Sequence, residues 1–372
     1  MAIRVALVIP TLVQGGAEKQ LCLLAENLPR DQFETHVFVL THDGPLGDRL
    51  RQHGVSVTVI GKRFKADPTA LWRLVFGLKA FAPDVVHTWI FAANSFGRAA
   101  ALAARVPRIL ASERCVDPWK SWWHDWIDRC LAKRTECITT NSGGVRDFYA
   151  GRGIDPQKFR VIPNGIEPLT VERISRDQAA LRLGIAADRH WILAVGRLWP
   201  QKRYRDLIWA GELLATLRED TTLVIIGDGP QKGELLRHRD AVSHPNHVRF
   251  AGHRDDVAQL LPHADLFWIG SEYEGQSNAV IEAMQAGVAV IASDIPGNRD
   301  LVTDDVTGKL VPTGDPAAIA RASESLLQDP ASRTRMGLDG QRRIESEFTV
   351  KAMVDAHATI YAGERTGPES TG

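Results

Sequence analysis

Short runs of Val, Ile and Leu alternate with longer amphipathic segments along the chain, which predicts parallel strands joined by helices that cover both faces of a sheet. In the first part of the chain the predicted strands are residues 3–9, 33–40, 55–60, 85–88, 108–111, 137–140 and 160–162. The rhythm then resumes, with predicted strands at residues 191–196, 222–227, 247–250, 265–269, 288–292 and 309–311. The pattern predicts an α/β fold with two doubly wound domains.

A turn-rich stretch between the two halves, residues 163–168, interrupts this rhythm and is predicted to be the hinge. Helical patterns follow the last predicted strand, from residue 315 to about residue 363, and residues 366–372 are predicted to be disordered. Ligands of doubly wound sheets bind at the carboxyl ends of the strands, so two facing domains predict a cleft between those ends.

Composition narrows the classes of protein to consider. The chain has 372 residues, 44% hydrophobic and 24% charged, which is enough material for two cores. Lys plus Arg equals Asp plus Glu at 45 each, so no global positive field favours nucleic acid as a partner. The four cysteines have neither zinc-ligand spacing nor a paired framework, which favours reduced thiols in the cytosol.

The amino-terminal residues are interpreted as a buried strand rather than a signal peptide, because Pro10 interrupts the apolar run. No stretch approaches the roughly 20 apolar residues that span a bilayer. A cytoplasmic location is therefore expected, and any contact with a membrane would be peripheral, at its inner face.

Candidate chemistry is concentrated in residues 271–284, where Glu274 lies on a predicted loop and Glu282 lies within the following helix. Ser277 or Asn278 can cap that helix. Free backbone N–H groups at a helix start can hold a diphosphate or a sugar hydroxyl. Glu282, about one turn in, could accept hydrogen bonds from both hydroxyls of a ribose, and Glu274 would then face the sugar.

With Glu-Gly before the helix, Glu-Ala-Met within it and a long apolar strand after it, this segment resembles the Glu-x7-Glu motif of retaining GT-B glycosyltransferases of family 4, the glycosyl transferases group 1. Without those neighbours, the two glutamates would be interpreted as a loop carboxylate and a solvated helix carboxylate. The resemblance covers nearly the whole chain and is sharpest between Gly196 and Asn298.

The resemblance implies a GT-B fold, in which two Rossmann-like domains face each other across a cleft. Residues 1–165 would bind the acceptor and residues 166–347 the nucleotide sugar. Residues 348–365 would form a helix that crosses back to the first domain, followed by the tail at 366–372.

A second motif follows the strand that ends at Gly196, where Arg197 and Lys202 resemble the family's Gly-Arg-x-x-x-x-Lys segment. A guanidinium and an ammonium would stabilise a diphosphate leaving group as its negative charge develops. The alternative is a loop with ordinary exposed basic residues. Arg203 stands where the family more commonly has glycine.

Near the amino terminus, Gly15 and Gly16 resemble the family's Gly-Gly-Ala-Glu and would let the backbone approach a ligand phosphate or sugar closely. A dinucleotide fingerprint is excluded because no Gly-x-Gly-x-x-Gly follows this strand. A plain tight turn stays open. The turn after another strand, residues 227–230, is a weaker signal for a border of the nucleotide site.

The chain has no Asp-x-Asp, the motif with which the other major glycosyltransferase fold holds a divalent ion, and Arg197 and Lys202 could replace that ion's charge. We therefore expect no metal and no cofactor. The resemblance implies retention at the anomeric carbon by same-face attack, in which the leaving phosphate takes the acceptor's proton and no protein nucleophile is required.

On the acceptor side the candidates are His87, Glu113 and Arg114. Family members often carry a histidine at the end of a first-domain strand, whereas strand 108–111 here runs into Ser-Glu-Arg. His87 could instead be a strand-end histidine with structural partners only, and Glu113 and Arg114 could pair with each other. A polar pair in this position could also orient a sugar hydroxyl.

Four of the ten tryptophans fall within residues 117–134 at the spacing of one helical stripe: Trp119, Trp122, Trp123 and Trp126. The favoured interpretation is core or interdomain packing. The alternative is an interfacial helix at a membrane, since indole prefers the headgroup boundary. Asp125 and Asp128 count against that alternative.

Together, the residues and the resemblance imply a cytosolic retaining glycosyltransferase. It would move a hexose or N-acetylhexosamine from a nucleoside-diphosphate sugar, with UDP favoured over GDP, to a lipid-linked or polysaccharide acceptor in envelope glycan biosynthesis. The residues predicted to bind the donor are Gly15, Gly16, Arg197, Lys202, Glu274, Gly275, Gln276, Ser277, Asn278 and Glu282. A sugar-nucleotide epimerase and a non-catalytic sugar-nucleotide-binding protein remain open alternatives.

Overall fold

The computed structural model describes residues 2–13 and 15–363, and this part of the chain divides into two compact units. The first unit comprises residues 2–13, 15–165 and 348–363, and the second comprises residues 166–347. The tail predicted to be disordered, and the last two residues of the helix predicted at 348–365, lie outside the described residues.

The first unit is built on a parallel sheet. Among its described residues, seven strands pair in the order β3-β2-β1-β4-β5-β6-β7. The strands are β1 (Ile3–Thr11), β2 (Phe33–His42), β3 (Ser56–Val59), β4 (Val85–Trp89), β5 (Arg108–Glu113), β6 (Cys137–Thr140) and β7 (Phe159–Val161). Five consecutive residues of β1, from Val5 to Ile9, are fully buried, which is why its sequence is continuously apolar rather than alternating.

Helices cover both faces of this sheet. They are α1 (Gly16–Asn27), α2 (Pro45–Gln52), α3 (Pro68–Phe81), α4 (Ile90–Ala104), α5 (Trp122–Ala132) and α6 (Gly143–Gly151). One core includes Leu21 of α1 and Leu50 of α2, and another includes Leu74 of α3 and Ala100 of α4.

The second unit repeats this organisation. In residues 166–347, six parallel strands pair in the order β10-β9-β8-β11-β12-β13. The strands are β8 (His190–Val195), β9 (Thr221–Ile226), β10 (Val248–Gly252), β11 (Leu266–Ile269), β12 (Ala289–Ser293) and β13 (Gly308–Val311). The helices are α7 (Arg176–Leu183), α8 (Tyr204–Leu217), α9 (Lys232–Val242), α10 (Val257–Leu260), α11 (Asn278–Gln285), α12 (Pro296–Arg299), α13 (Pro316–Gln328) and α14 (Pro330–Glu347).

The last described helix, α15 (Val350–Ala362), belongs to the first unit. Met353 and Tyr361 are buried in the same core as β1 and α1. Thr349 caps the start of α15, and at its end the Arg108 guanidinium of β5 donates to the carbonyls of Ile360 and Tyr361 at 2.7 and 2.6 Å. These bonds satisfy carbonyls that a helix end otherwise leaves without a partner.

Every strand predicted from the sequence is present, with bounds that agree to within two residues, and the α/β fold with two doubly wound units is confirmed. In both units the strand order reverses between the strands that come first and fourth along the chain. These switch points lie between β1 and β4 and between β8 and β11, and the carboxyl ends of the strands at such points are where this class of sheet binds ligands.

The predicted packing of the tryptophan stripe in a core is wrong. Trp119, Trp122, Trp123 and Trp126 are 55%, 79%, 47% and 57% exposed. The buried positions of α5 are instead Asp128 and Ala132. Arg98 and Lys120 draw the Asp128 carboxylate inward through ion pairs of 2.7 and 2.9 Å, and the helix therefore turns its apolar stripe outward.

Candidate functional site

Two loops leave the sheet of the second unit at its switch point. The chain passes from β8 into residues 196–203, called here the β8 loop, and from β11 into residues 270–277, called the β11 loop. Because β8 and β11 are paired neighbours in a parallel sheet, both loops begin at the same edge. They carry the two motifs that the sequence analysis singled out.

At this edge the structure brings Lys202 and Glu274 together. The Lys202 ammonium is bonded to Oε1 of Glu274, and the Ser271 hydroxyl donates to the same oxygen at 2.8 Å. The two side chains are 16% and 11% exposed. Since both contacts fall on Oε1, the other oxygen of Glu274 can accept a hydroxyl group, and the ammonium has two further protons to donate.

Buried hydroxyl and amide groups support the β11 loop from below. Ser271 is fully buried, and its carbonyl accepts a hydrogen bond of 2.6 Å from the hydroxyl of Ser293 at the end of β12. Asn298 in turn donates to the carbonyl of Ser293 at 2.9 Å. The sequence analysis assigned no role to these three residues, although Asn298 marked the end of the segment of sharpest resemblance.

The β11 loop also packs backbone to backbone against α12. A Cβ atom placed on Gly297 would lie 1.8 Å from the carbonyl oxygen of Gly275 and 3.0 Å from that of Glu274. Only glycine fits at position 297, because the neighbouring atoms belong to the backbone and not to a flexible side chain. This close approach fixes the height of Glu274 above the sheet.

The other residues of this segment that are predicted to bind the sugar-nucleotide donor lie at the end of the β11 loop and at the start of α11. Gly275, Gln276 and Ser277 are buried, and Asn278, half-buried, begins α11. Ser277 occupies the N-cap position without a capping bond from its side chain, while its carbonyl accepts from the N–H groups of Val280 and Ile281, both at 3.1 Å. Glu282 lies one turn into α11 and is half-buried.

Arg197 is exposed on the β8 loop, with its guanidinium 5.7 Å from the centre of the Trp199 ring. The turn at residues 227–229 holds this loop, because the N–H of Leu198 donates to the carbonyl of Asp228 at 2.9 Å. A Cβ on Gly229 would lie 2.6 Å from the carbonyl oxygen of Leu198. The turn that the sequence marked as a weak border signal thus supports the loop that carries Arg197.

Arg203 has a backbone conformation that suits glycine better than arginine. Its φ is +52°, in the left-handed region, which costs a residue with a side chain about 1–2 kcal/mol. An ion pair of 2.6 Å with Asp206 offsets part of this cost. The backbone reversal at Arg203 ends the short helical turn that carries Lys202 and starts α8.

Tyr204, the first residue of α8, was not identified as part of the site by the sequence analysis. It is buried, and its hydroxyl would lie 3.0 Å from a Cβ on Gly196. Burial and, to a smaller extent, the negative charge of Glu274 raise the pKa of Tyr204. The phenol therefore stays protonated beneath the Lys202–Glu274 pair.

In the first unit, Gly15 lies at the N-cap of α1 and Gly16 is its first residue. The Glu18 carboxylate folds back over Gly15, so that a Cβ there would lie 2.1 Å from Oε2. Glu18 is buried, and its other oxygen accepts from the Thr11 hydroxyl at 3.1 Å. A carboxylate in this position favours a hydroxyl-bearing ligand over a phosphate at this turn.

His87 is fully buried in the first unit. Its Nδ1 lies 2.7 Å from the Tyr361 hydroxyl of α15, and its Nε2 lies 3.3 Å from the Thr139 hydroxyl of β6. Burial lowers the pKa of His87 well below its usual value, so the ring is neutral. The geometry favours the structural alternative, in which His87 ties α15 to the sheet.

Glu113 and Arg114 do not act as a pair, because each has different partners. Oε1 of Glu113 lies 3.7 Å from the buried Lys120 ammonium, and burial raises the pKa of Glu113 to about 7. The Arg114 guanidinium is bonded to Asn164 and lies 4.9 Å from the centre of the Trp89 ring, and burial lowers its pKa to about 9. Adjacent residues of an extended chain point to opposite faces, which separates them.

Within residues 2–13 and 15–363, no group of three or more His, Cys, Asp and Glu side chains is arranged to hold a metal ion. No helix in this part of the chain combines the length and the apolar character needed to cross a membrane.

Both parts of the chain match known family models. Residues 14–168 match the model described as Glycosyltransferase Family 4, and residues 175–343 match the model described as Glycosyl transferases group 1.

Individual proteins are similar over most of their length. A lipopolysaccharide core biosynthesis glycosyltransferase of Rhizobium meliloti is 28% identical over 291 residues, which are 78% of this chain and 78% of that protein. A UDP-Gal:alpha-D-GlcNAc-diphosphoundecaprenol alpha-1,3-galactosyltransferase of Escherichia coli is 27% identical over 356 residues, 90% of each. The structure of Anabaena HepE with UDP-glucose has a TM-score of 0.86 at 23% identity, over 97% of this chain and 100% of that one, and shows the same fold.

Proposed function

This chain belongs to the family 4 glycosyltransferases, the glycosyl transferases group 1, and on that basis we propose that it transfers a hexose or an N-acetylhexosamine from a UDP-sugar to a lipid-linked or polysaccharide acceptor. Two relatives support a role in envelope glycan synthesis. The name of one places it in lipopolysaccharide core biosynthesis, and that of the other gives a galactosyl donor and a diphosphoundecaprenol-linked acceptor. The UDP-glucose in HepE supports UDP as the carrier.

The observation that carries the proposal is the Lys202–Glu274 pair at the switch point of the second unit. Lys202, with Arg197 on the same loop, donates to the diphosphate and stabilises the charge that grows as the glycosidic bond breaks. Glu274, held through Oε1, accepts a hydroxyl of the transferred sugar on its other oxygen. Glu282, one turn into α11, accepts from the ribose.

In this proposal the sugar is transferred with retention. The acceptor hydroxyl attacks the anomeric carbon on the face from which the diphosphate departs, and a phosphate oxygen of the leaving group takes its proton. Two fixed cations supply the positive charge at the diphosphate, so the reaction proceeds without a divalent ion. The first unit binds the acceptor.

The test is to incubate the purified protein with a panel of UDP- and GDP-sugars in chelator, with and without a membrane-lipid extract, and to follow release of the nucleoside diphosphate. We expect release from a UDP-sugar that depends on the extract and gives a product of retained anomeric configuration. Release without any acceptor that leaves an epimeric free sugar in solution would indicate an epimerase instead. Donor binding without release under every condition would indicate a non-catalytic sugar-nucleotide-binding protein.

Two variants test whether the reaction takes place in the second unit. We expect Glu274→Ala to abolish turnover with unchanged UDP affinity, because it removes the contact to the sugar, and Glu282→Ala to weaken UDP-sugar binding. Glu272→Ala is the matched control, since Glu272 is an exposed carboxylate on the same loop, and its backbone N–H, which the substitution keeps, donates to the carbonyl of Gln201 at 2.8 Å. Turnover that survives both Glu274→Ala and Glu282→Ala would refute the assignment.

A further inference from the structure

Four indole rings form an exposed surface on the first unit, which we call the tryptophan face: Trp119, Trp122, Trp123 and Trp126. Trp122 is the most exposed of them, at 79%. Single exposed apolar side chains are ordinary, but four large exposed aromatic rings on one helix and the turn before it concentrate apolar surface in the way that marks an interaction surface.

This face is built on a buried anchor rather than on a loose loop. The side chain of Lys120, next to Trp119, is completely buried, and its ammonium donates to Asp128 at 2.9 Å and to the Tyr149 hydroxyl at 3.1 Å. Ser121 and His124 cap the start of α5 reciprocally. The backbone that carries the four rings is therefore fixed to the sheet, and their exposure is a property of the fold.

Each acidic side chain of this segment has a cationic partner. Asp128 is buried between Arg98 and Lys120, and Asp125 accepts both of its bonds, at 3.0 and 3.1 Å, from Arg152. Asp117 accepts from the Trp119 indole N–H at 3.1 Å and lies 3.6 Å from the Lys120 ammonium. A cation therefore lies within 4 Å of each of the three carboxylates and weakens its repulsion of an anionic surface.

The basic side chains of α5 and of the residues after it are exposed to solvent. Arg129, Lys133 and Arg134 are exposed, and none of them forms an ion pair with a described residue. The tryptophan face thus combines indole rings with three uncompensated positive charges on one short segment. A surface of this kind is complementary to an anionic lipid headgroup layer, into which indole rings partition and over which cations are attracted.

We propose that the tryptophan face docks the first unit on an anionic bilayer surface. The inference deepens the proposed function and rests on it in one respect, because a lipid-linked acceptor would then be presented at the surface on which the enzyme sits. The docking itself needs neither donor nor acceptor. It is peripheral, with the rings at headgroup depth and the sheet outside the bilayer.

The experiment is co-sedimentation of the full chain with vesicles of phosphatidylcholine alone or mixed with phosphatidylglycerol, without donor or acceptor. We expect binding to the mixed vesicles that weakens as salt is raised. Trp122→Ala combined with Trp126→Ala should reduce the partition coefficient by roughly tenfold or more, because it removes the two most exposed rings. Replacing Arg129, Lys133 and Arg134 by Gln should cost roughly fivefold for each charge on mixed vesicles only.

Trp209→Ala is the matched control, because Trp209 is a 44% exposed tryptophan on α8 of the second unit. Equal binding of wild type and the Trp122/Trp126 variant, equal loss in the Trp209 variant, or no binding to mixed vesicles would each overturn the proposal. Dimers in sedimentation velocity that the double substitution dissociates, without vesicle binding, would assign the face to a second copy of the chain. A wild type that binds vesicles but transfers no sugar would refute the proposed function alone.

Discussion

The close approach of Gly297 to the β11 loop makes a single methyl group a probe of the site. In Gly297→Ala the new Cβ would lie 1.8 Å from the Gly275 carbonyl oxygen, whereas real Cβ contacts essentially never fall below 3.0 Å. The loop that carries Glu274 must therefore move by about 1.2 Å relative to α12. The nearest atoms belong to the backbone, so no side-chain rotation relieves the clash.

Two magnitudes follow from that displacement. Overpacking of this kind costs about 1–3 kcal/mol, which in a unit of this size lowers the melting temperature by roughly 2–12 °C. A shift of about 1 Å in a catalytic group costs on the order of 100-fold in turnover. We therefore expect Gly297→Ala to lose most of its turnover while it remains folded at 25 °C.

The assay pairs thermal unfolding, read by circular dichroism, with the rate of UDP release. Gly233→Ala is the matched control, because Gly233 is exposed within α9 of the same unit and a Cβ there would meet only the flexible Arg237 side chain at 3.6 Å. Gly233 lies in the first turn of that helix, where alanine should stabilise by less than the roughly 1 kcal/mol that it contributes in a helix interior. If Gly297→Ala melted and turned over like wild type, the contact between α12 and the loop would not position Glu274.

Three further predictions concern single groups. Lys202→Met should lower turnover by roughly 100-fold or more, because the leaving diphosphate loses a positive charge that stabilises it. Lys232→Met is the control and should leave turnover unchanged, because it breaks only a surface pair with Asp228. Equal rates in the two variants would contradict the role of Lys202. Ser271→Ala should lower kcat roughly tenfold with unchanged UDP affinity, since it removes one of the two bonds to Oε1 of Glu274. An effect on UDP affinity alone would be inconsistent with a role of Ser271 in positioning Glu274. Burial raises the pKa of Glu113 from 4.5 to about 7, so between those pH values the folded chain binds one more proton than the unfolded chain. The contribution of Glu113 to the free energy of unfolding therefore falls as the pH rises from about 4.5 to 7, and it is constant above pH 7. Glu113→Gln should flatten that slope in urea titrations at pH 5 and pH 8, and an unchanged slope would show that Glu113 does not titrate there.

Much of the fold was predictable because parallel strands covered on both faces are short, continuous apolar runs. Strand β6, predicted at 137–140, has those bounds in the structure. The meeting of Lys202 and Glu274 was partly predictable, since each follows a strand and the strand order of a doubly wound sheet places those strands side by side. Their bond to each other was not, because it depends on side-chain rotamers above loops of irregular backbone.

The errors have identifiable causes. The stripe on α5 was expected to face a core because apolar stripes usually do, but two buried cations outside the helix, Arg98 of α4 and Lys120 of the preceding turn, bind Asp128 and turn that side of the helix inward. The sequence does not indicate that Lys120 is buried, since a lysine between a tryptophan and a serine is normally predicted to be exposed. The separation of Glu113 and Arg114, in contrast, follows from the two-residue period of an extended strand and was available from the sequence.

Helix α15 has a consequence for biosynthesis. The first unit takes its last helix from residues made only after the whole second unit, so a nascent chain exposes the apolar groove around β1 and α1 while residues 166–347 are being translated. At 5–20 residues per second that interval is roughly 10–40 s. The amino-terminal half must therefore wait on the ribosome in an incomplete state, protected by chaperones or by its own partial structure, until the final helix emerges and Tyr361 reaches His87.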